Sequence, residues 1–250
     1  MEPYPNPPIR EALIDIKIDP LPPSRLPILE SQWDKIKEQY PLKKTRHRWE
    51  GAVEFQKEGS ISAGQRHLGP DGFLFTSSDG QEIVQNRLDG FTFNRLRPYP
   101  REGWPRVREK ASWLWELYLN AVQPTRVIGI VLRYINEINI PSVPVQLEDY
   151  LTEPPRIPES LPQTLEHFLT RIVIPLPEFG DMNAKAIITQ ALAQPSTPNT
   201  TSLILDINIL TETSMPADTA AVWQVLDRFR IVKNMIFKAS IRPKTEELFQ

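Results

Sequence analysis

From Val127 to Ile140 the side chains alternate with a period of two, and Ile128, Ile130, Leu132, Tyr134, Ile138 and Ile140 fall on one face. A strand this long, apolar on one side only, has to sit in a sheet with one covered face and one wet face. Leu203, Leu205, Ile207 and Ile209 repeat the pattern near the C-terminus, as do Ala12, Ile14, Ile16 and Ile18 near the start. The cover is also written in the sequence. A helix from Pro105 to about Val122 carries Val107, Ala111, Leu114, Tyr118 and Ala121 on one stripe. A second, from about Asp218 to Lys238, carries Val222, Val225, Leu226, Phe229, Val232 and Ile236. An α+β fold follows. Its strands are antiparallel, because the connections between successive strands are too short for parallel crossovers.

The order of elements repeats. Strand 9–18 leads into a helix bearing Leu26, Leu29, Trp33, Ile36 and Tyr40, with Ser24 as N-cap. Strands at 43–56, 72–76 and 82–97, with turns at Asp71-Gly72 and Asp79-Gly80, precede the helix at 105–122. In 43–56, Thr45, His47, Trp49, Val53 and Phe55 share the inner face. The second round has strand 127–140, a short helix with Leu147, Tyr150 and Leu151, strands at 165–174, 184–192 and 202–210, and the last long helix. The expectation is two similar halves, residues 9–124 and 125–242, each strand–helix–three antiparallel strands–long helix. Together they form one compact unit with the helices on one face of a curved sheet. Residues 1–8 form an extended arm and 243–250 a tail. Proline, 26 of 250 residues, sits between the periodic segments as rigid connectors and helix starts.

Composition removes several kinds of chemistry. With no cysteine there is no disulfide framework, thiolate metal site or cysteine nucleophile. The three histidines, His47, His67 and His167, have no metal-ligand spacing; His47 reads as a core imidazole, His67 as near a turn and His167 as part of a strand. No metal or cofactor is expected. The ten glycines make no phosphate-cradling motif, and Gly59-Ser60-Ile61-Ser62-Ala63-Gly64 reads as a hairpin connection rather than a nucleophile elbow. A formal charge of −2 gives no global attraction to nucleic acid or acidic membrane. The first residues lack a signal-peptide pattern, and no apolar run reaches the ~20 residues of a membrane span. A cytoplasmic protein without membrane contact is expected.

Three segments carry a resemblance: Asn6-Pro7-Pro8-Ile9-Arg10-Glu11-Ala12, Leu132-Arg133-Tyr134-Ile135-Asn136-Glu137-Ile138, and the closing set Asp227, Arg230, Lys233, Asn234, Phe237, Ser240 and Ile241. Through them the chain resembles, over its whole length, a sporadically distributed prokaryotic protein family of unknown function. Glu137 stands where that family more often has a basic residue. The resemblance implies a single-unit cytoplasmic bacterial protein and no particular chemistry. The family's scattered distribution implies a mobile defence or toxin–antitoxin type locus, by association only.

Side-chain parity supplies the candidate sites. Arg133, Glu137 and Asn139 face away from the apolar stripe of their strand, as do Asp206 and Asn208 on theirs and Glu11, Asp15 and Lys17 on the first. These groups converge on the open face of the sheet, where opposite charges on neighbouring strands pair for about 0.2–1 kcal/mol each. The leading expectation is a non-enzymatic binding or regulatory module that uses this face for a protein or small-molecule partner. The alternative is nucleic-acid or nucleotide binding through the basic segments 43–48 and 87–108, with Lys44, Arg46, Arg48, Arg95 and Arg97 as phosphate contacts. In that reading the repeated unit resembles the saddle of TATA-binding-type proteins. A third expectation is an enzyme with a dispersed carboxylate site. Trp113, Leu117, Trp223, Ile231 and Met235 lie off the core stripes of their helices, so each helix is buried on a second side, by the other half or by a second subunit in a homodimer.

Overall fold

The computed structural model describes residues 4–55, 61–141, 144–195 and 198–250, the side chains of 49–68 excepted. It is a mixed α+β fold built on one antiparallel sheet of nine strands in the order β2-β3-β4-β5-β1-β6-β9-β8-β7. The strands are β1 (Ile9–Ile18), β2 (Leu42–Phe55), β3 (Ile61–Thr76), β4 (Glu82–Arg87), β5 (Gly90–Leu96), β6 (Arg126–Ile140), β7 (Leu169–Pro175), β8 (Lys185–Ala193) and β9 (Thr201–Pro216). The helices are α1 (Leu26–Ser31), α2 (Trp33–Ile36), α3 (Trp104–Val122), α4 (Thr219–Ser240) and α5 (Pro243–Glu247). None of the described helices is long and apolar enough to cross a membrane.

The expected strand faces hold in the middle of the sheet. Ile14, Ile16 and Ile18 of β1, Leu132 and Tyr134 of β6 and Leu205, Ile207 and Ile209 of β9 are buried under the helical layer. Trp115 and Tyr118 of α3 rest on Phe91 of β5, with ring centroids 5.7 and 6.0 Å away. Leu226 and Phe229 of α4 complete the same core. The irregularity between Val127 and Gly129 changes the parity at the start of β6, so Val127 is buried there and Ile128 is only half-buried. Asp218 caps α4 by accepting a hydrogen bond from Ala220 N at 2.8 Å.

Several expectations are corrected. The segment 82–97 is two strands, β4 and β5, reversed at Leu88-Asp89, so four strands rather than three follow the first helix. Asp71-Gly72 is not a turn but part of β3. A Cβ at Gly72 would lie 2.3 Å from Asn86 O, so glycine is there for close backbone approach rather than for reversal. The helix expected over 24–40 is a 3₁₀ turn at Pro23–Arg25 followed by α1 and α2, and Ser24 makes no cap. Only a 3₁₀ turn, Leu147–Asp149, stands where the second short helix is expected. His167 precedes β7 instead of lying in a strand, and His67 is inside β3. Register shifts on both sides of His47 break the alternation of β2, and both Thr45 and His47 are exposed. Ile61–Gly64 belongs to β3, while Gly59, Ser60 and the side chain of Trp49 lie outside the described residues.

Candidate functional site

Parity puts Arg133 and Asp206 on the open face, and the register of the neighbouring β6 and β9 brings them together. Arg133 Nε donates to Asp206 Oδ1 at 2.9 Å and Nη2 to Oδ2 at 2.7 Å, and this two-point bond raises the guanidinium pKa. Glu137 receives Arg97 Nη1 at 3.2 Å and the Ser202 hydroxyl at 3.3 Å. Asn139 is exposed, and Asn208 is beside Arg133 in register with its buried Oδ1 unpartnered. Nearer β1, Arg87 binds Asp15 at 2.6 Å and Asp89 at 2.9 Å, and Asn94 binds Glu11. The face is charged but neutralised from within.

The same holds for most of the basic candidates. Arg46 is paired with Asp71, and Arg95 is divided among Glu82, Gln81 and the carbonyl of Pro98. Among the described residues only Lys44 and Arg48 of that set lack an acidic partner, and the breaks in β2 lie between them. Nor do the described His, Asp and Glu side chains gather in any group of three or more that could hold a metal.

Unneutralised charge lies elsewhere, beside a cavity of about 490 Å³ in the helical layer. One wall is the arm from Tyr4 to Ile9, the second the segment from Tyr99 into the start of α3, and the third Arg230, Lys233, Asn234 and Phe237 of α4. The α4 residues are spaced i, i+3, i+4 and i+7, one stripe of the helix beside its core stripe. The arm is docked. Tyr4 packs on Phe249 with centroids 5.2 Å apart and donates to Glu246, and Asn6 N donates to Phe249 O at 2.9 Å. Gly103, with φ of 67°, opens α3 without a side-chain cap, so the positive end of that helix borders the cavity.

Lys233 is the focus. Its Nζ lies 4.1 Å over the ring of Tyr134, whose hydroxyl shares a 2.9 Å hydrogen bond with Tyr99. Burial, and then the charge of Arg230, bring its pKa down to about 7. Burial also raises Tyr99 to about 12, against the pull of its bond to Tyr134 and of Arg230. Among the described residues no carboxylate pairs with Lys233 or Arg230; the cavity's one acidic lining residue is Glu102, which is exposed, and Arg101 adds a further cation. A second hollow of about 530 Å³ along α3 contains Arg108, but Asp227 already holds that guanidinium at 3.1 Å.

The unfolded chain binds a proton at Lys233 up to about 10.5, the native chain only up to about 7. Stability therefore rises with pH between those values, because the native state is relieved of a charge it solvates poorly. Lys233→Met is expected to stabilise the chain by about 1–2 kcal/mol near pH 6, as loss of a binding group often does. The gain should shrink as pH rises toward 10. Urea titrations at pH 6 and pH 9.5 check it, and an equal gain at both would reject the assignment. The groups facing Lys233 in this titration are Arg230 and Asn234 on α4, Tyr134 on β6, and Tyr99, Arg101 and Glu102 from the segment before α3.

Asn6, Tyr134, Asn136, Arg230, Lys233, Asn234 and Phe237 belong to the segments that carry the resemblance and are not among the expected site residues; the fold assembles them around one cavity. The readable signal was the i, i+3, i+4, i+7 spacing on α4, polar beside a fully apolar stripe. No protein-family model matches the chain, and no curated protein matches it in sequence.

Proposed function

We propose that this chain is a non-enzymatic binding module whose ligand carries an anionic group and enters the cavity between the arm, the start of α3 and α4. The carrying observation is the juxtaposition of Arg230 and Lys233 with no acidic partner among the described residues. A buried cation left unpaired costs stability, and an incoming anion repays that cost on binding. On the open face Arg133, Asp206, Glu137 and Arg97 have already found one another, which favours the cavity over the sheet as the ligand site.

The test compares benzoate with benzamide, its neutral counterpart, by NMR on the full chain. Benzoate is expected to shift the Trp104 indole and Asn234 side-chain amide signals, and benzamide at the same concentration to leave them in place. Arg230→Gln and Lys233→Gln should each weaken benzoate binding at least about tenfold, the size of one lost charge-assisted contact. Equal responses to both compounds would overturn the reading.

We also infer that the chain is built of two related units. In support, β1 and β6 pair at the centre of the sheet, and outward from them β5, β4 and β3 mirror β9, β8 and β7. Each series ends in a long helix, α3 or α4. That order suits the saddle-like nucleic-acid reading in outline. The ion pairs on Arg46, Arg95 and Arg97 leave that reading short of free cations, so the anion cavity is preferred.

A further inference from the structure

The ligand's class can be narrowed, on the premise that the cavity binds an anion. We propose that the cavity takes an organic phosphomonoester as its dianion, with the phosphoryl group between Arg230 and Lys233 and the ester group against the aromatic and proline wall.

Charge is the first reason. Arg230 is a standing cation and Lys233 a titratable one, both half-buried and without a carboxylate partner among the described residues. A dianion can hold both in the charged form, where a singly charged carboxylate or sulfate ester balances only one. A phosphomonoester carries close to two negative charges at neutral pH.

The second reason is the count of donors. The guanidinium of Arg230 offers five N–H groups in a planar fork and the ammonium of Lys233 three. Asn234 has no described partner for its amide, and the Tyr99–Tyr134 pair has one hydroxyl hydrogen beyond the one it shares. The neighbouring amides of Asn6 and Asn136 each already place one hydrogen, on the carbonyls of Gln250 and Leu205. Beside Arg230 and Lys233 the described lining is therefore rich in donors, its one carboxylate being the exposed Glu102 and its other side-chain acceptors the asparagine amide and tyrosine hydroxyl oxygens. A phosphoryl group, with three terminal oxygens and no hydrogen to place, is the complement. The uncapped start of α3 adds a favourable field for the same charge.

Size is the third. A cavity of about 490 Å³ is far larger than a phosphate ion, and much of the rest of its lining is aromatic or proline: Tyr4, Pro7, Pro8, Pro100, Trp104 and Phe237. Such a wall suits an aromatic or otherwise planar ester group stacked between rings and prolines.

Lys233 links this binding to protons. Unliganded, it is partly deprotonated near neutrality under burial and the charge of Arg230. A dianion beside it favours the ammonium, so at pH 8 the complex should take up a proton.

The experiment is calorimetry on the full chain at pH 8 with phenyl phosphate, phenyl sulfate and benzoate, each in two buffers of different ionisation enthalpy. Phenyl phosphate is expected to bind at least about tenfold more tightly than the other two, taking up a substantial fraction of one proton. Arg230→Gln and Lys233→Gln should each remove that preference, and Lys233→Gln should also abolish proton uptake. If phenyl sulfate or benzoate binds as well as phenyl phosphate, the dianion is wrong while the anion cavity stands. If none of the three binds, or if neither substitution changes binding, the cavity itself is not the site and both readings fall.

Discussion

Replacing Trp115 by Ala is expected to cost about 3–5 kcal/mol, a large part of the stability of a chain this size. The indole is fully buried, lies nearly parallel to Tyr118 at a centroid distance of 5.5 Å, and covers Phe91 of the sheet. No single neighbour can fill the space it would leave, because Tyr118 is held by its own bond from the hydroxyl to Arg87 O. The urea midpoint should fall with an unchanged slope. Trp115→Phe makes the matching control. The Trp115 Nε1 hydrogen has no acceptor among the described residues, so Phe loses volume but also discards an unsatisfied polar atom. The cost should then stay below about 1.5 kcal/mol, as for other near-conservative core exchanges. Similar losses for Ala and Phe would mean that the indole's packing is not what holds α3 on the sheet.

Asp15→Ala is expected to cost about 3 kcal/mol, although Asp15 is on the face of the sheet that the helices leave open. Its carboxylate accepts from Arg87 at 2.6 Å and from the Thr92 hydroxyl at 2.6 Å, and both Asp15 and Arg87 are buried. Removing the acid strands a buried guanidinium with only the half-exposed Asp89 as counter-ion. The double variant Asp15→Val with Arg87→Met removes both charges together and should recover most of the loss, so the single changes should sum to far more than the double. Purely additive losses would show that the pair is screened by water and that its burial is only geometric.

How much of this was legible in the sequence differs by element. The faces of β1, β6 and β9 were readable because period-two alternation survives wherever one side is covered and the other is not. Parity placed Arg133 and Asp206 on one face, while the adjacency and register of β6 and β9 that let them pair come from the fold. The alternation failed in β2, where register shifts flank His47, because a bulge leaves no mark in composition. Asp71-Gly72 misled for a related reason. A glycine can serve a reversal or a tight approach between strands, and only the neighbouring Asn86 O distinguishes the two. The cavity was illegible for a different cause. Its walls come from the arm, from the segment before α3 and from α4, parts of the chain separated by about a hundred residues each, and no local pattern records that they meet. What the sequence did show was Arg230 and Lys233 one helical turn apart. It could not show that, among the described residues, no carboxylate pairs with them.

The indole N–H of Trp104, the first residue of α3, donates to Asp227 of α4 at 2.8 Å, and Arg108 one turn later binds the same carboxylate. Two of the cavity's three walls are thereby riveted to each other and cannot part without breaking that shared anchor. The arm is fastened by Tyr4 and Asn6 against the C-terminal turn and by Pro8 O, which accepts from Glu137 N at 2.8 Å. In the binding reading proposed above, the arm is the wall outside that shared anchor, so loosening Tyr4 should hasten an occupant's arrival and departure alike while the cationic wall stays where it is.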